Sequence, residues 1–473
     1  MTTADPSPPA PPPVDVTTIP QLQGPFAPVI EETDATDLTV HSELPADLDG
    51  VYLRNGPNPR FTPLGSYVYP LEGDGMVHGM WLSDRRARYA NRFVMTEALR
   101  EEEKAGRALW GGLMTGYTPG ESEVGPELAG QPKALPDINV VRHGGRLLAL
   151  AESDCPYCLT PSLETLGRET FGGALPAGMT AHPKVDPRTG EMAVFCYLLE
   201  APYLTWATIG PDGVVTRPPT PVSGVDRPVM IHDMALTERF LVLVLAPLYF
   251  DLRAALSGGS LLSWQPEDGT RIALVPRGGG PILWSHTDTF WCWHTANAFD
   301  EDEQVVLDLV EWSRPGGIVP GPSEGGLTRM RIEPRTGEVR REQLDRGSME
   351  LPRIDDRLIG RPHERIALAA KTGRRPLVGG DHDALNFFDT RSGERVQWDA
   401  GELAVGEPVF APRPGTRDVD QGWWVTFATN RANGESWFLV LSAAEPGRGP
   451  VARARIPTRV PLGLHGSWLP TQE

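Results

Sequence analysis

Cysteine, lysine and long apolar runs are all scarce in this chain. Four cysteines among 473 residues cannot staple a fold together, which excludes the disulfide-scaffold class. No apolar run approaches the roughly 18–20 residues of a membrane span. The best candidate, FLVLVLAPLYF from Phe240 to Phe250, is too short and is broken by Pro247. The opening residues, MTTADPSPPAPPPVDV, have neither the basic nor the apolar region of a signal peptide, so a reducing cytoplasm is the expected location. Of 44 basic residues only four are lysine, and no basic stripe occurs; 62 acidic residues bring the net charge to −18. Nucleic acid is therefore not an expected partner. Any peripheral contact with a membrane has to use an apolar patch, and nothing marks an obligate protein partner.

Glycine and proline, by contrast, are plentiful: 51 and 48, about a fifth of the chain. That density suits many short strands joined by tight turns and argues against a helical bundle. Residues 1–24 carry seven prolines and few large apolar side chains, and are expected to form a disordered tail. No composition break follows, so 25–473 is expected to be one domain. Its recurring unit is a β run, a turn and a second β run, as in Asn139–Val141, His143–Gly145 and Arg146–Ala151. Three turns repeat one chemistry: Asp186 to Gly190, Glu333 to Gly337 and Asp389 to Gly393. In each, an acid can bond forward to backbone N–H groups and the closing glycine accepts a positive φ. Hairpins of this kind in one large domain point to an all-β fold, a β-propeller. Thr96 to Trp110 alone has helical composition.

Four of the ten histidines share a setting beside a strand edge with small or apolar neighbours: His182, His232, His294 and His465. They are 50, 62 and 171 residues apart, and no HExxH spacing is present. Taken singly, each reads as an ordinary buried or turn histidine. In a propeller, however, the innermost strands converge on one axis. Four neutral imidazoles gathered there would suit a divalent transition metal, and nitrogen ligands with open positions fit Fe(II).

The flanking motifs resemble those of the carotenoid cleavage oxygenase family, from about Gly24 to Gln472. They are Asp49-Gly-Val-Tyr-Leu-Arg-Asn-Gly-Pro-Asn-Pro59, Gly73-Asp-Gly-Met-Val-His-Gly79, Thr180-Ala-His-Pro183, Ile231-His-Asp233, His294-Thr-Ala-Asn-Ala-Phe-Asp300, Met349-Glu-Leu-Pro-Arg-Ile-Asp355, Gly406-Glu-Pro-Val-Phe410 and Arg459-Val-Pro-Leu-Gly-Leu-His-Gly466. The resemblance implies a seven-bladed β-propeller capped by loops and short helices that form an apolar tunnel. It implies one Fe(II) per chain on His182, His232, His294 and His465, with Glu152, Glu350 and Glu407 orienting three of the imidazoles. It also implies the activity: cleavage of a conjugated C=C bond of a carotenoid or apocarotenoid, with O₂ as co-substrate, into two carbonyl products. A carboxylate behind a ligating histidine fixes its tautomer and raises its basicity.

Rival readings are a stilbene dioxygenase, a metal-free propeller that binds an apolar ligand or a protein, and an isomerase. Stilbene-cleaving relatives commonly carry a lysine just before the first glutamate, where this chain has Ala151. Tyr249, Phe250, Leu261 and Trp264 are read as a tunnel wall or membrane-docking patch, and equally as core. Cys155-Pro-Tyr-Cys158 has redox-pair spacing but leads into a turn, without the helix N-terminus such chemistry needs. His78 is read as structural, and His41, His143, His286, His363 and His382 as surface or turn residues.

Overall fold

The computed structural model describes residues 9–256, 260–416, 418 and 421–471. Seven antiparallel sheets follow one another along the chain as the blades of a propeller. Blade 2 begins with Asn139–His143, blade 3 with Lys184–Val185, blade 4 with Met234–Leu236, blade 5 with Trp291–Glu301 and blade 6 with Met349–Arg353. Blade 7 begins with the short strands Leu403–Val405 and Val409–Pro412, both paired to Gly422–Asn430. Blade 1 joins the two ends of the chain. Its edge strand Gly466–Pro470 pairs with Gly50–Arg54, Arg54 standing opposite Gly466. The N-terminal pair Val40–His41 in turn extends blade 7 through Pro450–Ile456. A Cβ on Gly466 would meet the Leu53 carbonyl oxygen at 2.2 Å, so this closing strand starts on a residue without a side chain.

The core lies between blades. Each of the seven seams holds its own cluster of buried apolar side chains, from Tyr52, Met80, Phe427 and Phe438 between blades 1 and 7 to Val310, Leu327, Ile366 and Leu368 between blades 5 and 6. Both faces of most strands are covered, which is why Phe240–Leu245 is apolar without alternation.

The three acid-to-glycine turns form alike. Gly190, Gly337 and Gly393 donate to the carbonyls of Asp186, Glu333 and Asp389, with φ of +70°, +75° and +74°. The expected helix is Glu97–Ala105, started by Thr96 accepting from Leu99 N–H and ended by Gly106 in the left-handed region. No helix of the described residues is long and apolar enough to cross a membrane.

The proline-rich stretch departs from the expectation of a tail disordered through residue 24. Residues 1–8 lie outside the described residues, but from Pro9 the chain packs on the domain. Val14 N–H donates to Pro63 O at 2.9 Å, three 3₁₀ turns run from Val16 to Phe26, and Leu22 is buried. Proline lowers the entropy lost on ordering, so a few buried contacts hold this segment.

Candidate metal centre

The four histidines come together although they sit on four blades. His182 and His232 each lie two residues before the first strand of blades 3 and 4, and His465 immediately before the closing strand of blade 1. His294 lies within the first strand of blade 5, where the pairing shifts register between Cys292 and Thr295. Such a bulge re-aims a side chain, here toward the axis. One nitrogen from each imidazole lies within 4.8 Å of the others, and all four residues are buried. The Nε2 atoms of His182 and His232 are 3.1 Å apart. Those of His294 and His465 are buried with no hydrogen-bond partner among the described residues.

The remaining three blades supply carboxylates. His294 Nδ1 donates to Glu350 Oε2 at 2.6 Å, and His465 Nδ1 donates to Glu407 Oε1 at 2.9 Å. His232 Nδ1 lies 2.9 Å from Glu152 Oε2, but the two atoms are not aligned as a hydrogen bond. Glu350 is held further by Trp312 Nε1 at 2.7 Å and Leu351 N–H at 2.8 Å. Glu407 accepts from Arg353 Nη1 at 3.0 Å and Gly466 N–H at 2.9 Å. The strands are interrupted beside each glutamate: Ser153 and Leu351 take φ of +49° and +54°, and Glu407 precedes Pro408 in the gap between two short strands. These breaks turn the carboxylates out of the sheet toward the axis.

His182 has no glutamate. Its Nδ1 is 4.0 Å from Asp233 Oδ1, an oxygen already committed to Lys184 Nζ and the Met234 N–H, while Asp233 Oδ2 accepts from the Thr295 N–H. Asp233 thus ties the first strands of blades 3, 4 and 5 together beneath the cluster.

Electrostatics favour neutral imidazoles at His182 and His465 and anionic carboxylates at Glu350 and Glu407. Burial, reinforced by the neighbouring imidazoles, keeps His182 well below its ordinary range. Burial brings His465 down to about 4 against the opposing pull of Glu407. At His294 burial is outweighed by Glu350, and the value rises. Burial works to raise the Glu407 carboxyl, but Arg353 and His465 hold it down to about 2. Convergent, unpartnered imidazole nitrogens with carboxylates behind them are the donor set of a divalent metal, and the four histidines form a metal site.

The cluster has two unlike faces. On one, a chamber of about 400 Å³ rests on His232, His294 and His465, with Tyr69, Trp293, Trp312, Leu351 and Leu464 in its wall. Trp293 stands edge-on to His232, ring centroids 4.9 Å apart. On the other, an axial funnel of about 380 Å³ reaches His182, His294 and His465 past Lys184, Asp233, Arg353, Asp356 and Arg357.

The expected tunnel residues separate. Phe250 and Leu261 line a cavity of about 170 Å³ that also touches Ala151 and Glu152. Tyr249 instead belongs to the seam between blades 3 and 4, with the Arg227 guanidinium 3.5 Å from its ring centroid. Trp264 packs edge-on against Trp291 at 6.5 Å. Neither lines the chamber or the Glu152 cavity: the hairpin register puts Tyr249 on the face opposite Phe250, toward the seam, and stations Trp264 at the far end, against Trp291.

Three histidines read as surface or turn residues are buried. His143 Nε2 bonds Gly210 O at 2.8 Å, His363 Nε2 is 3.0 Å from Asp308 Oδ2, and His382 lines the chamber. His41 and His286 are exposed, and His78 is a buried partner of Tyr89. All four cysteines are free. Burial raises the thiols of Cys155 and Cys158, the latter to about 11, the reverse of what a redox pair needs. Trp312, Arg353, Asp233 and Lys184 were not singled out in the sequence. The signal for Arg353 and Asp233 was their place inside the motifs that carry Glu350 and His232.

Comparisons with known proteins agree with this geometry. The family model described as retinal pigment epithelial membrane protein matches residues 26–470. A carotenoid 9,10(9',10')-cleavage dioxygenase 1 from Pisum sativum is 32% identical, over 95% of this chain and 89% of the relative. Among solved structures, a lignostilbene dioxygenase of Pseudomonas brassicacearum superposes with a TM-score of 0.87 at 30% identity, covering 98% of this chain and 100% of that one. A cobalt-substituted apocarotenoid oxygenase of Synechocystis does so at 0.83 and 27%, covering 94% and 97%. With four imidazoles on four blades and a matching propeller over nearly its whole length, the chain belongs to the carotenoid cleavage oxygenase family, that of the retinal pigment epithelial membrane protein.

Proposed function

We propose that the protein is an Fe(II)-dependent dioxygenase that cleaves a conjugated C=C bond of a carotenoid or apocarotenoid with O₂, giving two carbonyl products. The observation that carries this reading is the placement of three of the four imidazoles on the floor of a chamber walled by tryptophan, tyrosine and leucine. His182, His232, His294 and His465 would hold the iron, and Glu152, Glu350 and Glu407 would keep three Nδ1 protons facing away from it. Bound there, Fe(II) supplies the electron density that makes dioxygen reactive toward a polyene.

The rest falls to the protein. The chamber excludes water and holds an extended apolar molecule by burial. Trp293 and Trp312 offer flat faces to a conjugated chain. The double bond that rests over the imidazoles is set by how far the molecule can enter. No side chain has to act as a general base, since oxygen atoms enter the product and no proton needs to be abstracted.

Stilbene cleavage is the second reading, favoured by the similarity to the lignostilbene dioxygenase and disfavoured by Ala151. The test is anaerobic loading with Fe(II), then exposure to air with carotenoids, apocarotenoids and stilbenes in parallel. We expect apocarotenoid turnover, lost together with bound iron in His232→Ala. Undiminished iron and product in that variant would contradict the assignment, and turnover of stilbenes alone would select the second reading.

A further inference from the structure

The chamber over the imidazoles is not uniformly apolar. Lys371 and His382 line it together with Trp293, Trp312 and Leu464. Lys371 directly follows the second strand of blade 6, Arg365–Ala370. It is one of only four lysines in the chain. Its Nζ donates to Leu377 O at 3.1 Å and Val378 O at 2.9 Å. An ammonium has three N–H donors, so one remains, and among the described residues no carboxylate pairs with it. His382 is 4% exposed, and its Nδ1 is buried without a partner among those residues. Burial, with Lys371 beside it, keeps the imidazole neutral, its value brought down to about 3.

A plain hydrocarbon in this chamber would strip water from the Lys371 ammonium and leave the buried His382 Nδ1 without a partner, which costs free energy. A ligand oxygen at the same place would accept from Lys371 and engage His382. We infer that Lys371 and His382 form a subsite for the oxygenated end of the substrate. The ligand class is a conjugated apolar molecule ending in a hydroxyl, carbonyl or carboxylate, held by that end while its double bonds cross the imidazole floor.

This deepens the proposed function and rests on it for the identity of the reaction, but binding tests it without turnover. The probes are trans-4-hydroxystilbene against trans-stilbene, and an apocarotenal against a hydrocarbon polyene of matched length. Binding to the metal-loaded protein under argon is read by quenching of tryptophan fluorescence. The expected result is that the oxygenated member of each pair binds about tenfold tighter or more, the range of a charge-assisted hydrogen bond. Lys371→Met and His382→Phe should each bring the pair to within about twofold without weakening the hydrocarbon member, whose affinity rises as the desolvation cost is removed, and Lys371→Arg should restore most of the preference.

Equal affinities in the wild type would overturn the inference. So would variants that weaken both members of a pair alike, since that marks a merely structural clip on residues 377–378. A protein that shows the preference yet cleaves neither probe class keeps the subsite and loses the dioxygenase reading. One that cleaves but shows no preference does the opposite.

Discussion

The metal centre has a firmly held half and a loosely held half. His294 and His465 each make an aligned bond to a glutamate that is itself fixed, Glu350 by Trp312 and Glu407 by the Arg353 guanidinium. His232 meets Glu152 at bonding distance but off the bonding direction, and His182 stands 4.0 Å from an aspartate already engaged elsewhere. The two loosely held imidazoles also have their Nε2 atoms only 3.1 Å apart. Two lone pairs that close are tolerated only with a proton or a cation between them. A metal therefore has the most to do at the His182–His232 half, whereas the His294–His465 half is preorganised by the protein.

Removing carboxylates one at a time tests this asymmetry. The largest effect should come from Glu407→Gln, which leaves the half-buried Arg353 with the Gly466 carbonyl and, for a carboxylate, the exposed Asp356. We expect a loss of about 3 kcal/mol of stability and a fall of roughly 10–100-fold in metal affinity, measured by denaturant unfolding and by Co(II) titration. The same variant changes acid behaviour. The Glu407 carboxyl is held below its unfolded value of 4.5, at about 2. Its stabilisation is thus complete above pH ~5 and is lost as pH falls through that window. Glu407→Gln should unfold with a shallower pH dependence between ~5 and ~2, and an unchanged slope would contradict the assignment of this charge.

Next in size is Glu350→Gln. Trp312 and the Leu351 N–H donate to different carboxylate oxygens, so the single amide oxygen can keep one of these bonds, and the stability loss should be about 2 kcal/mol. Metal affinity should still fall roughly tenfold or more. The smallest effect belongs to Glu152→Gln, where no aligned hydrogen bond is lost: less than about tenfold in affinity, with the unfolding midpoint nearly unchanged. If Glu152→Gln proved as damaging as Glu407→Gln, the two halves would be equivalent and the comparison would fail.

Much of the fold was legible because its signals are local. The acid-to-glycine turns, the Thr96–Gly106 helix limits and the histidines poised before strands all express chemistry between near neighbours. The four histidines could be grouped because three sit just before an inner strand and His294 lies within one, and motif order supplied the rest. What stayed hidden is non-local. His363 looks like a turn residue until Asp308, 55 positions away, is seen against it. The chamber wall is assembled from Tyr69, Trp293, Trp312, Lys371 and Leu464, which share no spacing. The aromatic cluster at 249–264 was more conspicuous in the sequence than any of these, yet half of it packs into core. The proline-rich start orders for another reason: low apolar content suggests a free tail, but prolines lose little entropy on ordering, and the burial of Leu22 and the Val14–Pro63 bond hold it.

The central claim is that this cluster, loaded with Fe(II), splits a conjugated double bond with dioxygen. Mass spectrometry of products formed from an apocarotenal under ¹⁸O₂ tests it most directly. The account predicts two shorter carbonyl compounds, each initially carrying heavy oxygen at its new end, read after brief reaction to limit exchange with water. Recovery of a product with the substrate's own mass, or cleavage fragments with no label at the earliest times, would contradict it.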